Sequence, residues 1–141
     1  MAKFAQPREL KPNEKALIDF LLIADFPGRN ELQQQVECVQ VVGDCDCGCG
    51  TIDLAVTGPC VRAGCRERVP VEAYGDTITV LLFVRDGLLS SLEIVNCDDS
   101  RPLVYPSPDG LKLSVPAARE LDTLPNKQKF NVMPRHGRVI R

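Results

Sequence analysis

The sequence predicts an α+β domain, with N-terminal helices packed on one face of a four- to five-stranded antiparallel sheet and a Pro-rich C-terminal extension. Three observations lead there. Apolar residues repeat with a period near 3.6 up to about Val36. Beyond it they alternate with period two. The alternating runs are separated by turn signals, not by helical stretches, so the strands form an antiparallel meander and not βαβ units. Helices first and strands afterwards is the α+β order.

The first helix is expected near 13–25. Proline in Leu10-Lys11-Pro12-Asn13-Glu14 suits a first turn, with Lys11 or Asn13 as the cap. Leu17, Phe20, Leu21 and Ala24 then form one apolar stripe. Asp25-Phe26-Pro27-Gly28 ends it. A second helix near 29–37 has few apolar residues and is expected on the surface.

Strands follow. Thr51 to Thr57 directs Ile52, Leu54 and Val56 to one face. Arg66 to Tyr74 directs Val69, Val71 and Ala73 inward and Arg68 and Glu72 outward, and Pro70 suggests an edge. Thr77 to Val84 is apolar on both faces toward its end and reads as central. Arg85-Asp86-Gly87 is a hairpin turn signal. Leu88 to Cys97 returns with Leu92 and Ile94 inward and Ser91 and Glu93 outward. The expected core is Leu17, Phe20, Leu21, Ile52, Leu54, Val56, Val80, Leu82 and Ile94.

From Asp98 the composition changes. Six of the eleven prolines lie between Pro102 and Pro134. Leu111 to Val115 is a candidate short strand, and Ala117 to Leu121 a candidate helical turn. The chain thus divides into a core domain over 1–98, a Pro-rich extension over 99–124 and a mobile basic tail over 125–141.

At 141 residues, 44% hydrophobic and 26% charged, this is one globular domain with an aliphatic core, since tryptophan is absent. No apolar run is long enough to cross a bilayer. Met1 to Arg8 is too short and polar for a signal peptide. Seven cysteines without such a signal favour a reducing cytoplasm over a disulfide framework. Net charge is −2. Residues 125–141 hold five cations and no acid, which leaves −7 on residues 1–124. An acidic body without a stacking platform is a poor nucleic-acid surface.

The most informative stretch is Gly43-Asp44-Cys45-Asp46-Cys47-Gly48-Cys49-Gly50. It connects two β-rich runs and carries sulfur where turn residues would suffice. In extended backbone Cys45, Cys47 and Cys49 project as one row, and the glycines let the loop curl around a centre. Three soft ligands in five residues suit zinc or another thiophilic metal. The spacing is not C-x2-C, and zinc normally takes a fourth ligand, for which Cys60 and Cys65 are the nearest candidates. Two other readings stand beside the metal: free thiols acting as small apolar fillers, and thiol redox chemistry. Asp44 and Asp46 disfavour thiolates in the loop, whereas Arg62, Arg66 and Arg68 give Cys65 the better setting for reactivity.

Catalytic signatures are missing. The sole histidine is His136, in the basic tail, so no Ser-His-Asp or Cys-His set is evident. There is no phosphate-cradling glycine loop. Asp98-Asp99 reads as a turn former.

Phe26-Pro27-Gly28, Val42-Gly43-x-Cys45-x-Cys47-Gly48-Cys49, Ile52-Asp53-Leu54, Val80-Leu81-Leu82-Phe83-Val84-x-Asp86-Gly87 and Leu92-Glu93-Ile94-Val95 together resemble a group of small bacterial proteins over roughly residues 8 to 98. The resemblance implies a compact bacterial cytoplasmic α+β domain and brings no activity with it. Cys38, Cys60, Cys65 and Cys97 lie outside that pattern.

Three functions compete. The first is a small non-enzymatic binding or interaction domain whose partner is another protein. The second is a thiolate protein binding zinc through Cys45, Cys47 and Cys49 with Cys60 or Cys65. The third is a thiol redox protein using a Cys-x-Cys pair.

Overall fold

The computed structural model describes residues 2–45, 47–100 and 104–117. Two α-helices and seven strands form an α+β fold, larger in its sheet than the four or five strands expected. In chain order these are β1 (Ala2–Arg8), α1 (Pro12–Leu21), α2 (Arg29–Gln35), β2 (Val39–Asp44), β3 (Ile52–Val56), β4 (Val71–Tyr74), β5 (Ile78–Arg85), β6 (Leu88–Asn96) and β7 (Lys112–Ser114). A 3₁₀ turn over Val36–Cys38 joins α2 to β2. The basic tail, most of the candidate turn at Ala117 to Leu121, and Asp46 lie outside the described residues.

Two strands sit at the margins, β1, which was not expected, and β7, the candidate strand at Leu111 to Val115. β1 was read only as a polar N-terminus, yet it pairs antiparallel with β2, Ala2 opposite Asp44 and Arg8 opposite Val41. β7 adds to β4, with Ala73 opposite Leu113, so the sheet draws on residues beyond 98. The strand order is β1-β2-β3-β6-β5-β4-β7, all antiparallel. This is not a simple meander. β3 lies beside β6, while residues 57–70 carry the chain past β6 and β5 to β4, a Greek-key path. Consequently β4 is an interior strand and not an edge. Its regular part starts at Val71, immediately after Pro70, which cannot donate to a ladder.

Both helices lie over one core. Leu17, Ile18, Leu21, Leu22, Phe26, Leu32 and Val36 pack with Val41, Ile52, Leu54, Val71, Ala73, Val80, Leu82, Leu92 and Ile94. The buried stripe of α1 is Glu14, Leu17, Ile18 and Leu21, rotated from the expected one, so Phe20 is only half-buried. Val56 is likewise half-buried, because it stands at the end of β3. Glu14 tolerates its position because Arg8 grips it with two 2.9 Å hydrogen bonds and Lys11 N donates to it at 2.8 Å. Lys11 is the N-cap residue, before Pro12.

The second helix is not a surface helix. Leu32 and Gln35 are both fully enclosed. Gln35 Nε2 donates to Gly87 O at 2.9 Å and Val61 O at 3.0 Å, and its Oε1 accepts from Leu89 N at 3.0 Å. One side chain thus joins α2, the 57–70 crossing and the β5–β6 turn. That turn has Asp86 at φ 54° and Gly87 at φ 77°, the left-handed pair that suits a two-residue hairpin. A Cβ on Gly87 would lie 2.7 Å from Ala63 O, so the crossing loop closes directly on it.

Two polar residues expected to face outward are buried. Ser91, 6% exposed, lies beside a bulge where the β5–β6 register shifts. Glu72, 7% exposed, accepts a hydrogen bond from the Tyr74 hydroxyl. On β4, Val71, Glu72 and Ala73 are all buried, so both faces of the strand are covered there.

Candidate metal centre at the β2–β3 hairpin

The cysteine loop is the tip of the β2–β3 hairpin, and the ladder below it aims it. Val41 pairs with Leu54 but Gly43 with Asp53, so one extra residue of β2 is accommodated at a bulge just before the loop. Cys45 N donates to Thr51 O at 3.0 Å, extending the pairing by one step. Gly48 N then donates to Cys45 O at 3.4 Å, folding the tip back on itself. Gly50 has φ 92°, and a Cβ there would sit 3.1 Å from both Ile94 Cδ1 and a Tyr105 ring carbon. Glycine is therefore needed twice over, for conformation and for clearance.

Thr51 anchors the return strand. It is buried, and its hydroxyl accepts from Ile94 N at 2.9 Å and lies 3.4 Å from Ile94 O. Below Gly50, Tyr105 presents a buried hydroxyl without a hydrogen-bond partner. Burial and the nearby Glu14 carboxylate push that phenol upward, against the opposing effect of Arg8. A segment read as Pro-rich extension thus forms the floor of the hairpin tip.

On this support the Sγ atoms of Cys45, Cys47 and Cys49 all lie within 4.8 Å of one another. Cys45 and Cys47 share a 2.9 Å hydrogen bond. Cys47 is exposed, and the other two are half-buried. Sulfurs sharing one tetrahedral zinc at about 2.3 Å stand roughly 3.8 Å apart. The triad therefore needs only small side-chain adjustments to close on an ion, the Cys45–Cys47 pair opening by about 1 Å on that geometry.

The three thiols are not equivalent. Burial works against ionising Cys49, but hydrogen bonds from the Thr51 side chain and backbone, and from the Cys47 and Cys45 thiols, outweigh it and bring Cys49 down to about 7. Cys47 is pushed up to about 11, because its proton is held in hydrogen bonds to Cys45 and Cys49. When Cys49 ionises, its negative charge is shared within the cluster through these hydrogen bonds.

The proposed outer ligands are not brought to the triad. Among the described residues the sulfur cluster contains Cys45, Cys47 and Cys49 alone. Cys60 instead follows β3 at the other end of the hairpin, where the neighbouring Cys38 thiol raises its pKa. Cys65 packs against the core, and burial together with Glu67 and Glu31 raises its pKa. The nearby arginines do not make it reactive, since desolvation dominates. Asp98 accepts from Ser100 N at 3.0 Å and Ser100 Oγ at 2.6 Å, as a turn-forming aspartate does. Thr51 and Tyr105 carried no signal in the sequence, because each depends on cross-strand or long-range placement.

Among the described residues no helix is long and apolar enough to cross a membrane. No family model matches this chain, and neither a curated protein nor a solved structure is found to be similar to it.

Proposed function

We propose that this protein binds one thiophilic metal ion, zinc in the first instance, through Cys45, Cys47 and Cys49. The observation that carries the reading is the convergence of three sulfurs within 4.8 Å on a hairpin tip whose backbone is fixed from below. Three thiolates beside Asp44 are strongly anionic, and a cation between them offsets the repulsion. Three protein ligands leave one zinc position for water or an exogenous ligand, the pattern of an open site and not of a closed structural one. Cys47 faces solvent, so that position is accessible.

The test is metal analysis of the untagged protein purified without chelator. Near one zinc per chain, lost in C45S, C47S and C49S alike, supports the reading. Wild-type protein that neither retains zinc nor takes it up on addition would refute it, and would return the chain to the reading of an interaction domain for another protein. The 2.9 Å approach of Cys45 and Cys47 favours one second reading, a thiol redox protein. A Cys45–Cys47 disulfide in metal-free protein as isolated would support that reading instead.

A further inference from the structure

The crossing that carries the chain from β3 to β4 is pinned twice to the end of the β5–β6 hairpin. Ala63 N donates to Gly87 O at 2.8 Å, and Val84 N donates to Arg68 O at 2.8 Å. Arg62 adds a third tie, its guanidinium donating to Asp86 O at 2.7 Å. The close approach at the turn depends on Gly87 having no Cβ. Residues 65–68 of the crossing and 84–87 of the hairpin then line a cavity of about 390 Å³, in the size range of small-molecule sites. Backbone hydrogen bonds fix its frame before any ligand arrives, which lowers the ordering cost of binding.

The charge lining this cavity runs against that of the molecule. Residues 1–124 carry −7. Here, however, Arg66, Arg68 and Arg85 outnumber Glu67 and Asp86, and all five are exposed. Among the described residues the ion pairs are Arg8–Glu14 and Lys15–Asp19, so no carboxylate neutralises any of these three arginines. Like charges gathered around one cavity repel, and an anion among them offsets the repulsion. The planar guanidinium fork matches phosphate oxygens, two at a time. The cations come from two separate segments, so a ligand with two linked oxyanion groups engages both.

We infer that this cavity binds a small phosphorylated anion of the diphosphate class, held by Arg66 and Arg68 on the crossing and by Arg85 at the end of β5. The acidic remainder of the chain favours a compact ligand. A long polyanion such as nucleic acid would run from the cavity onto a repelling surface. The site shares no residue with the cysteine triad and does not depend on metal.

The experiment is calorimetric titration of the full chain, freed of metal so that chelation cannot contribute, at low ionic strength. Pyrophosphate, orthophosphate and citrate are the probes. Pyrophosphate should bind once per chain and at least about tenfold tighter than orthophosphate, the effect of one further charge-assisted hydrogen bond. R66Q/R68Q/R85Q should weaken pyrophosphate at least about tenfold by the same measure. Absence of saturable pyrophosphate binding, equal affinity for orthophosphate, or citrate binding as tightly as pyrophosphate would overturn the inference. So would an unchanged affinity in the triple variant, which would assign the binding to cations elsewhere in the chain. The three arginines are exposed, so the variant is expected to fold. If it does not, backbone amide shifts of the wild type decide. Pyrophosphate should move residues 65–68 and 84–87 most, and largest shifts anywhere else would overturn the inference.

Discussion

At the scale of single residues, the account turns on how Cys49 is held. The Thr51 hydroxyl accepts from Ile94 N at 2.9 Å and donates to Ile94 O at 3.4 Å, which fixes its orientation beside Cys49. Cys49 is a thiol below pH 7 and increasingly a thiolate above it, while Cys47 stays protonated well beyond neutrality. In metal-free protein, Cys49 should therefore be the first of the three to react with iodoacetamide, with a rate midpoint near pH 7. Thr51→Val should move that midpoint upward, measured by peptide-resolved alkylation. Equal rates at all three cysteines would remove the asymmetry. Because Cys47 holds its proton, loading zinc at neutral pH must displace it, so affinity should fall as pH falls.

Among the elements, α2 and the β5–β6 hairpin depend on one another through Gln35. Gln35→Leu keeps most of the volume but leaves Val61 O and Leu89 N without that partner, while Gly87 O keeps only its bond from Ala63 N. On the usual cost of buried unsatisfied groups the loss should be about 2–4 kcal/mol, read by denaturant unfolding. A change under about 0.5 kcal/mol would show that water replaces the side chain there. Leu82, fully enclosed on β5, should cost about 2–5 kcal/mol when cut to alanine, by the same measurement. Here the limits of sequence reading are physical. Leu82 alternates in a long apolar strand, and Asp86-Gly87 is a strong local signal, so both were legible. Gln35 was not, because its partners lie 26 to 54 residues away and glutamine carries no periodic signal. β1 was illegible for a related reason. It is polar, and it exists because β2 offers an unsatisfied ladder, whereas the apolar alternation of Leu111 to Val115 already marked β7.

For the whole molecule, the tip of the β2–β3 hairpin is where the candidate chemistry gathers. The triad was legible because its three cysteines are local in sequence. An extended chain would set alternate residues about 7 Å apart, and it is the tip, folded back by Gly48 N on Cys45 O, that brings the sulfurs together. Its support was not, since Ile94 and Tyr105 reach it from more than forty residues away. The Greek-key crossing escaped for the same reason, since turn signals report where a chain turns but not which strand it meets next. Gly50→Ala should damage the site without removing a ligand, because its Cβ collides with that support. Its zinc affinity should drop at least about tenfold, the lower end of what loss of a ligand-orienting group costs, in a competition titration with a chromophoric chelator. An unchanged affinity would mean that the loop binds independently of its floor. The central claim is that one ion sits among these three sulfurs, and X-ray absorption at the zinc edge of the zinc-loaded full-length protein tests it most directly. The account predicts a shell of three sulfurs at about 2.3 Å with a single lighter neighbour. A shell of nitrogen and oxygen alone, or one unchanged in C45S/C47S/C49S, would contradict it.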